Sequence, residues 1–197
     1  MWEYEKKLLR PINIKNKNPQ LAKFIIAQYG GPDGELSASL RYLSQRYTMP
    51  CPITKGLLTD IGTEELSHLE MIGTIVYQLT RDLNDKIVKD SGFGDYFINH
   101  STGIYPANVN GSPFNSNALA VTGDPIADLN EDLAAEQKAR ATYDNILRLC
   151  DDPDVADVIK FLREREIVHY QRFGEALRRV EESITSNSKF FMNNCEK

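Results

Sequence analysis

Apolar residues recur at helical spacing in five stretches of the chain. Leu21, Phe24 and Ile25 predict a short helix over residues 20–29, stopped by Gly30-Gly31. The acidic turn Pro32-Asp33-Gly34-Glu35 opens a second helix carrying Leu36, Leu40, Leu43 and Tyr47, which Pro50-Cys51-Pro52 ends. A third runs from about Ile53 to Lys89 and would be roughly 55 Å long. Asp124 as N-cap and Pro125 at the first helical position start a fourth, to about Cys150, with Leu129, Leu133, Ala139, Tyr143 and Leu147 on one side. After Asp151-Asp152-Pro153 a fifth helix continues to about Ile184 through Val155, Ile159, Leu162, Phe173 and Leu177.

Three segments lack this period. Residues 1–19 hold Trp2, Tyr4, Leu8 and Leu9 ahead of an Asn- and Lys-rich run, and read as an extended N-terminal arm in need of a docking surface. Residues 90–123 are broken by Gly92, Gly94, Pro106, Gly111, Pro113 and Gly123. The same stretch interleaves Phe93, Tyr96, Phe97, Tyr105 and Phe114, which favours an ordered crossover over a disordered linker. Residues 185–197 are polar and predict a flexible C-terminal tail. The expected architecture is all-α: a four-helix bundle over residues 20–184, with the long crossover loop between its second and third helices.

Two apolar stripes are interrupted by chemistry. The stripe Leu58, Ile61, Ile72, Ile75 and Leu79 carries Glu65 and His68 where Leu or Ile is expected. About a hundred residues later Glu166 and His169 interrupt the stripe of the last helix in the same way. A hairpin of two helices brings residues equally distant from its turn face to face. Glu35 and Glu65 are each 15 residues from Pro50, and Glu136 and Glu166 are each 15 residues from Asp151. Four carboxylates therefore share one level, with both histidines one turn away. Unpaired buried charge costs several kcal/mol per group, and no set of lysines or arginines lies on those faces to offset it. Two divalent cations would balance the four carboxylates, and the neutral imidazoles would complete the coordination.

Composition narrows the remaining classes. A 197-residue chain that is 41% hydrophobic can bury one full core, and a net charge of -5 without clustered Lys or Arg argues against a nucleic-acid surface. No apolar run reaches membrane-spanning length, and residues 1–17 hold no apolar signal region, which predicts synthesis in the cytoplasm without a signal peptide and no membrane partner. Cys51, Cys150 and Cys195 form an odd set without Cys-x-x-Cys, unsuited to a disulfide framework or a zinc knuckle.

One Glu from each of two helices and Glu-x-x-His from each of the other two is the ligand pattern of ferritin-like di-iron and di-manganese bundles. The chain resembles the manganese catalase family, and within it the short spore-coat members of endospore-forming bacteria, through Gly31-Pro32-Asp33-Gly34-Glu35-Leu36, the run from Asp60 to Glu70, Ala135-Glu136 and Glu166-Ile167-Val168-His169. The resemblance implies two manganese ions per chain, one held by Glu35, Glu65 and His68, the other by Glu136 and His169, with Glu65 bridging. It makes Glu166 an outer-sphere carboxylate that carries protons. Tyr42, seven residues after Glu35 and on the same face, is placed to hydrogen-bond a ligand carboxylate. Some family members have Arg before the third glutamate where this chain has Ala135. The implied activity is disproportionation of hydrogen peroxide to water and dioxygen, in a homo-oligomer of hexameric type, within the spore coat and among other coat proteins. Two alternatives stay open: carboxylate and imidazole donors do not by themselves choose manganese over iron, which allows a di-iron ferroxidase, and a structural coat protein could keep a vestigial site.

Overall fold

The computed structural model describes residues 7–195, with side chains described to residue 185. Its helices are α1 (Pro19–Gly30), α2 (Glu35–Gln45), α3 (Pro52–Thr80), α4 (Asp85–Asp90), α5 (Gly94–His100), α6 (Pro125–Leu149) and α7 (Pro153–Cys195). Short 3-10 turns lie at Arg46–Thr48 and Ser116–Ala118. No strand occurs among the described residues, and none of their helices is long and apolar enough to cross a membrane.

Local sequence sets the helix starts. The Asn18 side chain accepts the Leu21 N–H ahead of Pro19, and Asp124 accepts from Ile126 and Ala127 ahead of Pro125. In both cases an otherwise orphaned N–H is satisfied and proline occupies a position that needs none. Helices α2 and α3 form one antiparallel hairpin and α6 and α7 the other.

Two apolar clusters fix how the hairpins stack. In one, Tyr42, Met49, Leu58 and Ile61 of the first hairpin meet Leu129, Phe173, Ala176 and Val180 of the second. In the other, Met71, Ile72, Ile75 and Leu79 meet Tyr143, Ile146, Val155, Ile159 and Leu162, with Leu21, Ala22, Ile25 and Ile26 of α1 packed against them. The start of α3 thus lies beside the start of α6 and the ends lie together. The two helices run parallel, and the hairpin turns sit at opposite ends of the bundle. This is the ferritin-like four-helix arrangement, with the chain crossing the bundle's length between α3 and α6. Cys51 and Cys150, one near each turn, are free thiols.

The structure corrects several boundaries. Helix α3 ends at Thr80, not near Lys89, and is about 44 Å long. Arg81 is extended, Asp82 takes a left-handed φ of 52°, and Asn84 caps the new helix α4 by accepting the Ile87 N–H. The apolar period continues through Ile87 and Val88, which hides this break in the sequence. The crossover is partly helical, through α4 and α5. Its aromatic side chains stack on one another, Phe93 on Tyr96 at 4.5 Å and His100 on Tyr105 at 4.0 Å between ring centres. Gln45 and Arg41 of α2 donate to the carbonyls of Ala120 and Ala118, tying the crossover's exit to the bundle. The backbone of α7 continues helical to Cys195, past the point where the polar sequence predicts fraying; no Gly or Pro interrupts it there.

The arm docks on its own bundle. Ile12 and Ile14 are buried in the second cluster, and the Gln78 amide brackets them, accepting the Ile14 N–H at 2.6 Å and donating to the Ile12 carbonyl at 3.1 Å. Trp2 and Tyr4 lie outside the described residues.

Gly30 closes α1 where the crossover passes directly over it: a Cβ there would overlap the backbone of Pro106 and Ala107. Gly30→Ala is expected to lower unfolding stability by about 1–3 kcal/mol through overpacking, read from chemical denaturation midpoints. Unchanged stability would show that the crossover does not press on α1.

Candidate metal centre

Between the two apolar clusters lies one polar layer. Glu35 comes from α2, Glu65 and His68 from α3, Glu136 from α6, and Glu166 and His169 from α7; all six side chains are buried. Each Glu-x-x-His pair projects from one helix face because residues three apart are neighbours there. Donor atoms of Glu35, Glu65, His68 and Glu166 all lie within 4.8 Å of one another, and so do those of Glu65, Glu136, Glu166 and His169. Glu65 and Glu166 belong to both sets.

The atoms converge without satisfying one another. His68 Nδ1 is 2.7 Å from Glu65 Oε2 and 3.6 Å from Glu35 Oε2. His169 Nδ1 is 2.9 Å from Glu65 Oε1 and 3.5 Å from Glu136 Oε2. The Glu65–His169 pair is not aligned as a hydrogen bond, and Glu65 Oε1, Glu136 Oε2, Glu166 Oε1 and His169 Nδ1 all lack a partner. Buried polar atoms are rarely left so. A cation in each set of four would satisfy them, and hard carboxylate oxygens with imidazole nitrogen suit manganese or iron.

Two tyrosines hold the outer oxygens. Tyr42 donates to Glu136 Oε1 at 2.5 Å, so it reaches across to the other hairpin and not to Glu35 on its own helix. Tyr143 makes the reciprocal bond, donating to Glu35 Oε1. Sequence reasoning counted Tyr143 as core only, yet a signal was present: Glu35 to Tyr42 and Glu136 to Tyr143 are the same seven-residue step. Burial and the neighbouring carboxylates push both phenols well above their usual range, so they remain proton donors. A further carboxylate, Asp132, is buried one turn before Glu136 and belongs to neither set. Ala135 is buried beside Glu136 and contributes only a methyl.

The electrostatics separate the carboxylates. Burial raises Glu35 to about 7, helped by Glu65 and opposed by His68. Burial and neighbouring carboxylates also raise Glu136, and raise Glu166 far more. Glu65 is buried too, but the His169 and His68 imidazoles overcome that and hold it below the usual range. Against the burial that favours their neutral form, Glu65 and the nearby carboxylates raise His68 and bring His169 to about 12. Without metal the layer neutralises itself with protons, on both rings and on some of the acids. Divalent cations would displace those protons.

A ferritin-like bundle with a paired carboxylate and histidine box of this kind belongs to the class of two-metal helical proteins. The sequence profile of the family described as manganese containing catalase matches residues 1–190. Protein CotJC of Bacillus subtilis is 54% identical over 182 residues, covering 92% of this chain and 96% of that protein. A probable manganese catalase of Clostridium acetobutylicum is 36% identical, covering 97% and 89%. The crystal structure of KatB, a manganese catalase from Anabaena, superposes with a TM-score of 0.84 at 32% identity, covering 92% of this chain and 81% of that one. The chain belongs to the manganese containing catalase family.

The shift on Glu35 has a thermodynamic sign. Glu35 binds its proton more tightly when folded, so its contribution to stability is complete below about pH 4.5 and is lost as pH rises through about 7. Metal-free protein is expected to lose stability between pH 5 and 8, and Glu35→Gln to flatten that slope. Denaturation at several pH values in a chelator decides it; an unchanged slope in the variant would remove Glu35 as the cause.

Proposed function

We propose that the protein is a di-manganese catalase that disproportionates hydrogen peroxide to water and dioxygen. The observation that carries this reading is the pair of four-donor sets sharing Glu65 and Glu166 at one buried level. In this assignment Glu35, Glu65 and His68 would hold one ion and Glu136 and His169 the other, with Glu65 shared between the two donor sets. Two manganese ions held together supply a two-electron redox couple, which matches the two electrons that one peroxide gives up and a second takes.

The protein's own residues handle the protons. One peroxide releases two protons as it becomes dioxygen, and the second needs two as it becomes two waters. Glu166 is the group suited to hold a proton between the half-reactions: it is shared by both donor sets, has a free Oε1, and burial keeps it readily protonated. Tyr42 and Tyr143 keep Glu136 and Glu35 turned inward by donating to their outer oxygens. The apolar clusters above and below keep bulk water from the layer.

The wider setting rests on resemblance. The likeness to Protein CotJC supports a spore-coat setting, in which the enzyme would work as a homo-oligomer of hexameric type among coat proteins. Side chains exposed on the crossover, including Ile98 at 83% and Val121 at 44%, support a further chain packing there.

Two sets of measurements test these readings. Protein with about two manganese ions per chain is expected to release dioxygen from peroxide; Glu65→Ala should lose both ions, while Glu166→Gln should keep them and lose turnover by about 100-fold or more. Glu65→Ala that keeps two ions would refute the bridge, and iron in place of manganese, without dioxygen release, would favour the ferroxidase. Light scattering is expected to show an oligomer that Ile98→Glu shifts to smaller size. A full-length monomer would contradict the assembly.

A further inference from the structure

One carboxylate lies behind both histidines. The imidazoles present Nδ1 to the donor sets and Nε2 away from them, and each Nε2 lacks a hydrogen-bond partner at ideal geometry. Both point at Glu64: Oε1 is 3.4 Å from His68 Nε2, and Oε2 is 3.3 Å from His169 Nε2. Both separations are within reach of an N–H···O contact but are not aligned as formed bonds, so each needs a reorientation of the ring or the carboxylate. Arg165 grips the same carboxylate with two parallel contacts, Nε to Oε1 at 2.6 Å and Nη2 to Oε2 at 3.2 Å. The rings are fully buried, whereas the Glu64 side chain is 24% exposed at the floor of a surface depression that also includes Asp60, Thr63, Ser67 and Phe161.

The positions are equivalent in the two hairpins. Glu64 stands four residues before His68 on α3, and Arg165 four residues before His169 on α7. Had both positions been acidic, each ring would have its own acceptor and two like charges would face one another. With one acid and one guanidinium, the pair neutralises itself and a single carboxylate serves both rings.

We infer that Glu64, fixed by Arg165, is a positioning residue that accepts the Nε2–H of both His68 and His169 and so turns both Nδ1 atoms toward the paired-metal layer. The inference deepens the metal reading above and rests on it for its purpose, though not for its geometry. An imidazole that donates from Nε2 keeps that proton when Nδ1 binds a cation, and a carboxylate acceptor makes Nδ1 a stronger donor. Orienting both rings from one point also couples the two positions: displacement of Glu64 loosens both at once.

The chain has three histidines, so selective nitrogen-15 labelling of the rings gives a sparse spectrum in which His100, in the crossover, is the internal reference. In metal-free protein the Nε2–H signals of His68 and His169 are expected downfield and slow to exchange. Glu64→Ala should displace or erase both and leave His100 unchanged. With zinc as a diamagnetic probe, chelator competition should show binding about 10- to 100-fold weaker in Glu64→Ala at both positions. Glu64→Gln, which conserves volume, covers the case in which the alanine variant does not fold: it keeps one acceptor oxygen and should displace one ring signal. Both ring signals unmoved in whichever variant folds would overturn the inference, even if metal binds as expected. Wild-type protein that binds no zinc or manganese would instead sink the metal reading, and the metal-free spectra would still decide the role of Glu64.

Discussion

The repulsion among Glu35, Glu65, Glu136 and Glu166 is the constraint the rest of the structure answers to. Four buried carboxylates, joined in two overlapping sets that share Glu65 and Glu166, cannot all be ionised without compensation. Among the described residues no lysine or arginine pairs with these four acids; Arg165 pairs with Glu64 instead. Compensation is left to two imidazoles, to protons and to cations. The apolar clusters on either side exclude water from the layer, and the tyrosines occupy the carboxylate oxygens that cations would not reach.

Near two-fold repetition distributes these groups, but it is not kept throughout. Each hairpin supplies a Glu and a Tyr seven residues apart from its first helix and Glu-x-x-His from its second. Glu65 and Glu166 are thus equivalent in sequence, yet their environments drive them apart. Both rings crowd Glu65, at 2.7 and 2.9 Å, and keep it ionised. Glu166 faces chiefly the other carboxylates and is driven toward its protonated form. A bridge needs an ionised group and a proton carrier needs one that accepts readily, so the two copies of one motif suit the two different roles proposed for them. Glu64 and Arg165 break the symmetry a second time at the positions just before.

The bundle and its central layer were legible because they depend on spacing within helices. Counting outward from Pro50 and from Asp151 is enough to bring four glutamates level, since rise and turn per residue hardly vary. Features set by tertiary contact were hidden. The break after Thr80 lies inside a continuing apolar period, and only a left-handed Asp82 and the Asn84 cap mark it. Docking of Ile12 and Ile14 depends on Gln78, a polar residue that reads from sequence as exposed helix surface. Tyr143 fitted the core stripe so well that nothing called for another role, and Glu64 was overshadowed by the more informative Glu65 beside it.

The placement of the layer separates stability from chemistry. Each apolar cluster joins residues from both hairpins, one toward each end of the bundle, so the hairpins are fastened above and below the acids and not through them. Burial of that apolar surface is the main favourable contribution to folding. The carboxylate layer in the middle is then free to be unfavourable on its own and can be adjusted by protons or metal without the helices parting. A layer at one end of the bundle would lack this property, because fraying of the adjacent turn would admit water and relieve the repulsion that makes the acids seek cations. Long helices, a central polar level and a crossover that returns the chain to the start of α3 are thus parts of one solution. Because the glutamates sit near mid-helix in both hairpins, parallel α3 and α6 bring all four to one depth and leave apolar packing on both sides.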